Sequence, residues 1–314
     1  MKNTIQTLLF ITLISIANYN GLAQGCSDAG FCTAGGIKPM GNGKDQMANS
    51  LGFTMGYGIG EQNTHVLTAQ FEPQIKVSPK SMVQIKLPFV FIKGTLGTAN
   101  GLGDALITYN HLFDSTWKKP ITLTVGSRIA TGTAAGKIDE ISVPMPYQVS
   151  LGTTDFILGL KIDLGNGYSI SAGWQQPVFN RNQNGFDSVA YKVLRSKHTL
   201  EDEDNYFISA NLKRKGDVLL RIDKSFNWEK ASVGVGLLPI YHLGKDKVSL
   251  SKNREVELEN SQGLTLNINL RYSYKVTDLL ELYGVMASPL IVRESRPDGL
   301  TRALVVLAGL RYNL

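Results

Sequence analysis

From residue 66 onward the chain alternates between apolar and polar positions in period two. Along 66–77 one face carries Leu67, Ala69, Phe71, Pro73, Ile75 and Val77, and the other Thr68, Gln70, Glu72, Gln74 and Lys76. Along 264–275, Leu264, Leu266, Ile268, Leu270, Tyr272 and Tyr274 oppose Thr265, Asn267, Asn269, Arg271, Ser273 and Lys275. Such alternation is the signature of a strand with one apolar and one wet face. Strands of soluble proteins usually run about five or six residues, whereas a tilted bilayer-spanning strand needs about nine to eleven. These runs exceed ten residues, so length favours a membrane barrel over the competing reading, a large periplasmic β-sandwich.

Shorter versions of the pattern recur. Val83, Ile85, Leu87, Phe89 and Phe91 oppose Gln84 and Lys86; Ile121, Leu123, Val125 and Ile129 oppose Thr122, Thr124 and Arg128. Phe156, Leu158, Leu160 and Ile162 oppose Lys161 and Asp163, and Tyr206, Ile208, Ala210 and Leu212 oppose Ser209, Asn211 and Lys213. The final run presents Leu304, Val306, Ala308, Leu310, Tyr312 and Leu314 on its outer face. Only closure of the sheet lets strands cross lipid without unpaired backbone groups. Tyr272, Tyr274, Tyr312 and Trp174 suit an aromatic girdle near strand ends. Ser78-Pro79-Lys80, Gly165-Asn166-Gly167 and Val276-Thr277-Asp278 read as periplasmic turns, and 93–101, 131–152, 178–187, 243–262 and 289–301 as outer loops. Including 188–198 as a strand, with Val189, Tyr191 and Val193 on one face, restores the long–short rhythm. The expected fold is an all-β antiparallel transmembrane β-barrel of about fourteen strands, with twelve as the alternative if 178–205 is one loop. An even count leaves both termini in the periplasm.

The N-terminus adds an address. Lys2 precedes an apolar stretch, Leu8 to Ala17, and Gly21-Leu22-Ala23 places small residues where a signal peptidase cuts. A signal peptide over 1–23 is therefore expected, then a short periplasmic segment over 24–46 and a barrel over 47–314. Cys26 and Cys32 are the two cysteines of the chain. Export puts them in an oxidising compartment, so a disulfide closing a small loop is the plain reading. Lipidation at Cys26 would need an apolar residue where Ala23 stands, and a metal site lacks a nearby His. The Gly-rich, stapled segment is expected to fold into the periplasmic mouth as a plug.

Composition narrows the function classes. Of 314 residues 43% are hydrophobic and 18% charged, which excludes disorder. The charge of +6 is spread along the chain, so nucleic acid is not an expected partner. His65, His111, His198 and His242 lack metal-ligand spacing. His65 and His242 fall at expected strand ends, in wet interfacial positions. No local motif sets a nucleophile beside a base, so no enzyme activity and no cofactor are expected. Gly101-Leu102-Gly103-Asp104 lacks the helix that a phosphate loop requires and reads as a bend in the barrel wall. The inward faces carry Gln70, Glu72, Gln74, Lys76, Gln84, Lys86, Asp104, Thr108, Asn110, Arg128, Lys161, Asp163, Asn267, Asn269 and Arg271. Both signs are present, which fits a narrow, ion-paired lumen better than an open anion pore.

Three motifs carry a resemblance. Gly101 to Asp104, then Thr131-Gly132, then Leu151-Gly152-Thr153-Thr154-Asp155-Phe156 follow in an order that resembles a family of outer-membrane barrels assigned to a MetA-pathway of phenol degradation, allied with the long-chain fatty-acid transporter superfamily. It spans about 100–180 by motif and the remainder by strand rhythm. This chain has Ala130 where the family often has Pro before Thr-Gly. The resemblance supports the barrel architecture and not a cargo; the expected location is the bacterial outer membrane, and the expected function is passive passage of a small, hydrophobic molecule. The expected partners are outer-membrane lipid, the small solute and, during biogenesis, the barrel-assembly machinery. The alternative is a non-transporting surface barrel that uses loops 131–152 and 243–262 for adhesion or docking.

Overall fold

A computed structural model of the chain describes residues 48–113, 119–187, 206–251, 254–300 and 302–314. The leader over 1–23, the segment 24–46 with Cys26 and Cys32, the strand expected over 188–198, and His198 lie outside the described residues.

The wall is built from β1 (Ser50–Gly60), β2 (His65–Ser78), β3 (Ser81–Gly94), β4 (Gly97–Leu102), β5 (Ala105–Phe113), β6 (Ile121–Ile129), β9 (Thr153–Gly165), β10 (Tyr168–Asn180), β11 (Asp217–Asn227), β12 (Ala231–His242), β15 (Gly263–Lys275), β16 (Leu280–Ile291) and β17 (Arg302–Asn313). Small hairpins β7 (Lys137–Ile138) with β8 (Ile141–Ser142), and β13 (Lys247–Ser251) with β14 (Arg254–Glu257), sit inside two loops. Every neighbouring pair in the wall is antiparallel, and β1 pairs with β17 from Ser50↔Asn313 to Ile59↔Leu304. That pairing closes the sheet on itself. Strands β4 and β5 both pair with β3, as Phe89↔Leu102 and Lys86↔Leu106, so they are two halves of one wall strand broken at Gly103-Asp104. The Gly103 N–H still reaches the Pro88 carbonyl at 2.9 Å across the break.

The closed wall therefore has twelve strands, counting the broken one once, and not fourteen. One source of the difference is the run through Tyr206, Ile208, Ala210 and Leu212. It does not join the wall; Tyr206 and Leu212 are buried beneath the loops, where the apolar positions face a small core instead of lipid. The other extra strand expected, 188–198, lies outside the described residues. Separately, 93–101 is not the long outer loop expected: Gly94 pairs with Gly97, and the link is a tight turn through Thr95 and Leu96.

Short links at one end (79–80, 166–167, 228–230, 276–279) alternate with longer links at the other (130–152, 181–216, 243–262, 292–301). Asn166 and Gly167 both have positive φ, 50° and 78°, which suits the right-handed twist of the β9–β10 hairpin. The outer surface of the wall is apolar: Leu51, Phe53, Leu67, Phe71, Leu158, Leu160, Leu237, Ile268 and Leu310 are all exposed. Among the described residues, buried polar and charged side chains outnumber buried apolar ones. That distribution is inside-out for a protein in water and normal for one in lipid. Tyr272, Tyr274 and Tyr312 stand outward toward the short-turn end, with Lys224 Nζ 3.9 Å above the Tyr168 ring. Trp174 instead lies at the middle of β10, its ring 5.9 Å from Phe156.

Candidate functional site

The inward side chains form tiers along the bore. In the lower and middle tiers Gln70, Glu72, Gln74, Gln84, Lys86, Thr108, Asn110, Lys161, Asn267, Asn269 and Arg271 are buried inside the closed wall. Glu72 Oε1 accepts from Thr54 at 2.7 Å and from Gln70 at 2.6 Å. Thr124 donates to Asn110 at 2.7 Å. Lys161 Nζ lies 3.1 Å from the partly exposed Asp163. Asp223 accepts from Arg221 at 3.0 Å, and Arg271 Nη1 lies 2.7 Å from its Oδ1. Lys76 follows Gln74 on the same face of β2 and is exposed, close to the short-turn end of the strand.

Above this polar tier lies an apolar one. Leu106, Ile157, Leu219 and Leu238 turn inward from β5, β9, β11 and β12, are almost fully buried and pack together, with Ile240 against them. These strands span six consecutive positions of the ring, half its circumference. Inward apolar residues break the outside-apolar rule and went unrecognised in the sequence, because alternation alone reads them as local noise.

The three motifs meet directly above that tier. Asp104, at the break between β4 and β5, accepts a hydrogen bond from Ser150 and one from the Leu151 N–H at 3.1 Å. Thr131 bridges the same break, donating to the Gly103 carbonyl at 2.5 Å and accepting from the Ala105 N–H at 3.0 Å. A Cβ on Gly132 would run into the Leu102 carbonyl, so this approach requires glycine. Arg128 Nη2 lies 2.5 Å from Asp155 Oδ2 and donates to Thr153 at 3.1 Å, while its Nε is 4.0 Å from Asp104. Gln175 also donates to Asp155. A cavity of about 70 Å³ opens beside Asp104 and Arg128, roofed by residues of loops 130–152 and 292–301.

Those loops form a cap. Tyr147, Phe186, Tyr206, Leu96 and Val143 pack into one apolar cluster, and Met145, Leu151, Leu212 and Val248 into a second. The run Asn180-Arg181-Asn182-Gln183-Asn184 straps them together. Asn180, Asn182 and Asn184 each accept from the N–H two residues on, at 2.8, 3.0 and 2.9 Å. Their amides donate to the carbonyls of Leu212, Leu151 and Val143. Asparagines spaced by two, each making an Asx turn, are a sequence signal that could have marked this strap. Ion pairs finish the closure. Asp298 binds Arg293 and Arg214, Arg214 also binds Asp217, and Arg296 binds Glu61 at 3.0 Å. His242 does not sit in water at its strand end. It is 2% exposed, with Nδ1 2.6 Å from Asp217 and Nε2 2.9 Å from Asp246. His65 is exposed, with Tyr57 OH 2.7 Å from its Nδ1, and His111 lies 2.8 Å from Ser81.

A closed antiparallel wall, apolar without and hydrogen-bonded within, is a transmembrane β-barrel. Comparison of the sequence with protein-family models and with curated proteins finds no match. Solved structures do match in fold. An outer membrane channel from Pseudomonas putida F1 superposes with a TM-score of 0.59 at 11% identity, over 85% of this chain and 96% of that one. The NanC porin superposes with a TM-score of 0.50 at 9% identity, over 84% of this chain and all of that one. The chain thus has the fold of outer-membrane channels.

Two measurements check the site. Arg128→Gln removes the cation paired with Asp155 and nearest to Asp104 and should cost about 3–5 kcal/mol in urea unfolding; Asp155→Asn in the same chain should restore part of that loss, giving a clear coupling energy. In the cap, burial raises the Asp298 pKa, but Arg293 and Arg214 outweigh it and hold the carboxylate well below its ordinary value. A carboxylate so depressed adds stability that is present above about pH 4 and is lost as the pH falls further. The hydrogen-exchange protection factors over 292–300 should therefore fall on acidification below pH 4, and Asp298→Asn should flatten that response.

Proposed function

We propose that this chain is a bacterial outer-membrane channel through which a small, predominantly apolar molecule passes by diffusion. One observation supports the reading: a tier of Leu106, Ile157, Leu219 and Leu238 set across half of an otherwise polar bore. An apolar constriction in a pore sheds water and so resists ions, while costing an apolar solute little. The paired charges below it leave no strong field of one sign, unlike an anion pore.

The location rests on the apolar outer band, the even strand number, the alternation of short turns with long loops, and the shared fold with outer-membrane channels. The leader over 1–23, the plug over 24–46 with a Cys26–Cys32 disulfide, and insertion by the barrel-assembly machinery belong to the same proposal. In it, Gln70, Glu72, Lys86, Asn110, Lys161, Asn267, Asn269 and Arg271 line the solute's route. The link to the phenol-degradation family is supported by the meeting of its three motifs at Asp104, Arg128 and Asp155. The described loops fold inward over the bore and bury their apolar residues there, which argues against adhesion or docking as their main task. No catalytic role is proposed.

Reconstitution into vesicles and planar bilayers tests the reading. The wild-type protein should pass a small uncharged apolar solute yet conduct potassium chloride weakly. Leu106→Ser with Leu219→Ser should raise ionic conductance several-fold. A large ohmic conductance in the wild type, unchanged by those substitutions, would overturn it.

A further inference from the structure

The outward face of the wall carries very little charge. Among the described residues, its strand positions hold two charged side chains, Lys93 near the long-loop end of β3 and Lys224 near the short-turn end of β11. A charge facing lipid is tolerated close to an interface, and there it needs a partner. Lys93 stands exposed. Lys224 has a built seat. Its Nζ donates to the Asn166 carbonyl at 2.5 Å and lies 3.9 Å from the centre of the Tyr168 ring and 5.5 Å from that of Phe226. Tyr168 is its direct partner across the β10–β11 pair, and the turn through Asn166 and Gly167, both at positive φ, brings the carbonyl alongside. An ammonium has three N–H donors. Asn166 takes one, the rings attract the charge without closing off its outer side, and no carboxylate pairs with it among the described residues.

The surroundings suit a lipid headgroup and its chain. Trp228, 62% exposed, follows Phe226 toward the membrane edge, where amphipathic rings collect. In the other direction Ile222 pairs with Ile170 and Leu220 with Ala172, an apolar track that leads from the lysine toward the middle of the wall. From Lys224 to Leu220 is about 13 Å of strand at about 3.3 Å per residue, nearly the depth of one leaflet's hydrocarbon, about 15 Å. Charge selects among headgroups. Lys119 and Lys230 are exposed at the same end, against Glu229, while the neighbouring Asp163 is paired with Lys161. A zwitterionic head would bring its own ammonium to a surface already rich in lysine; an anionic head would not.

We propose that Lys224, Tyr168 and Trp228 form a site for an anionic glycerophospholipid, with the phosphodiester on the Lys224 ammonium and an acyl chain along Ile222 and Leu220. The inference rests on the channel reading only for the leaflet, since the short turns set the site on the periplasmic side; lipid binding itself does not depend on solute passage.

Native mass spectrometry of the purified full-length barrel in detergent tests it with three probes of identical acyl chains: phosphatidylglycerol, phosphatidylethanolamine and diacylglycerol. One phosphatidylglycerol should be held at least fivefold more tightly than phosphatidylethanolamine, and diacylglycerol should not be retained. Lys224→Gln, shown to be a folded barrel by heat-modifiable gel mobility, should erase that preference. Lys224→Arg should keep it, and Lys93→Gln, at the opposite end, should leave it unchanged. Equal affinity for the two phospholipids in the wild type, a preference that survives Lys224→Gln, or an equal loss in Lys93→Gln would overturn the site. Solute passage in vesicles with no headgroup preference would remove the site and leave the channel; a headgroup preference dependent on Lys224 in a barrel that passes no solute would do the reverse.

Discussion

In a hydrocarbon layer no water is present to pair with the backbone, and each unpaired N–H or C=O costs several kcal/mol. A sheet survives there only by having no edge. The antiparallel register between β1 and β17 supplies that closure, joining the first described strand to the last. The broken strand shows how strictly the condition applies. Where β4 gives way to β5, the Gly103 N–H still bonds to the Pro88 carbonyl, and Thr131 bridges the Gly103 carbonyl and the Ala105 N–H. The break stays hydrogen-bonded by borrowing a side chain from the loop after β6.

Closure also dictates the interior. Once alternate residues must face lipid, the others face each other, and the bore fills with groups a soluble core would exclude. Buried charges are tolerable only when paired, and here they are: Arg128 with Asp155, Arg221 and Arg271 with Asp223, Arg214 and Arg293 with Asp298. The apolar tier at Leu106, Ile157, Leu219 and Leu238 then stands out as a chosen feature, since nothing in the closure rule demands it. Tier, cavity and cap stack in that order along one axis.

Much of the wall was legible in the sequence because lipid and lumen impose a two-residue period that composition cannot disguise. The outward faces of 66–77, 264–275 and 304–314 are the exposed faces of β2, β15 and β17. The strand number was less legible. Tyr206 and Leu212 show the same alternation as a wall strand, but they pack into a cap, and local pattern cannot tell lipid from a small core. Position along a strand is also hidden from alternation, which is why the pattern sets His242 in water although it is buried. Asp104, Arg128 and Asp155 belonged to recognisable motifs, whereas Asp217, Asp246, Arg293 and Asp298 lie at strand ends or in loops with no period to expose them. Their pairing is a property of how the loops fold together, so no single stretch of sequence carries it.

The central claim is that alternate residues of each wall strand face lipid and the rest face a sealed interior. A cysteine scan through Leu264–Lys275 reads this directly, in a chain with Cys26 and Cys32 replaced by serine. Each variant would carry a bimane label in vesicles containing acyl-chain-brominated lipid. Quenching at Leu264, Leu266, Ile268, Leu270, Tyr272 and Tyr274, with none at Thr265, Asn267, Asn269 and Arg271, is the pattern this account predicts. Quenching without a two-residue period, or strongest at the asparagines, would contradict it.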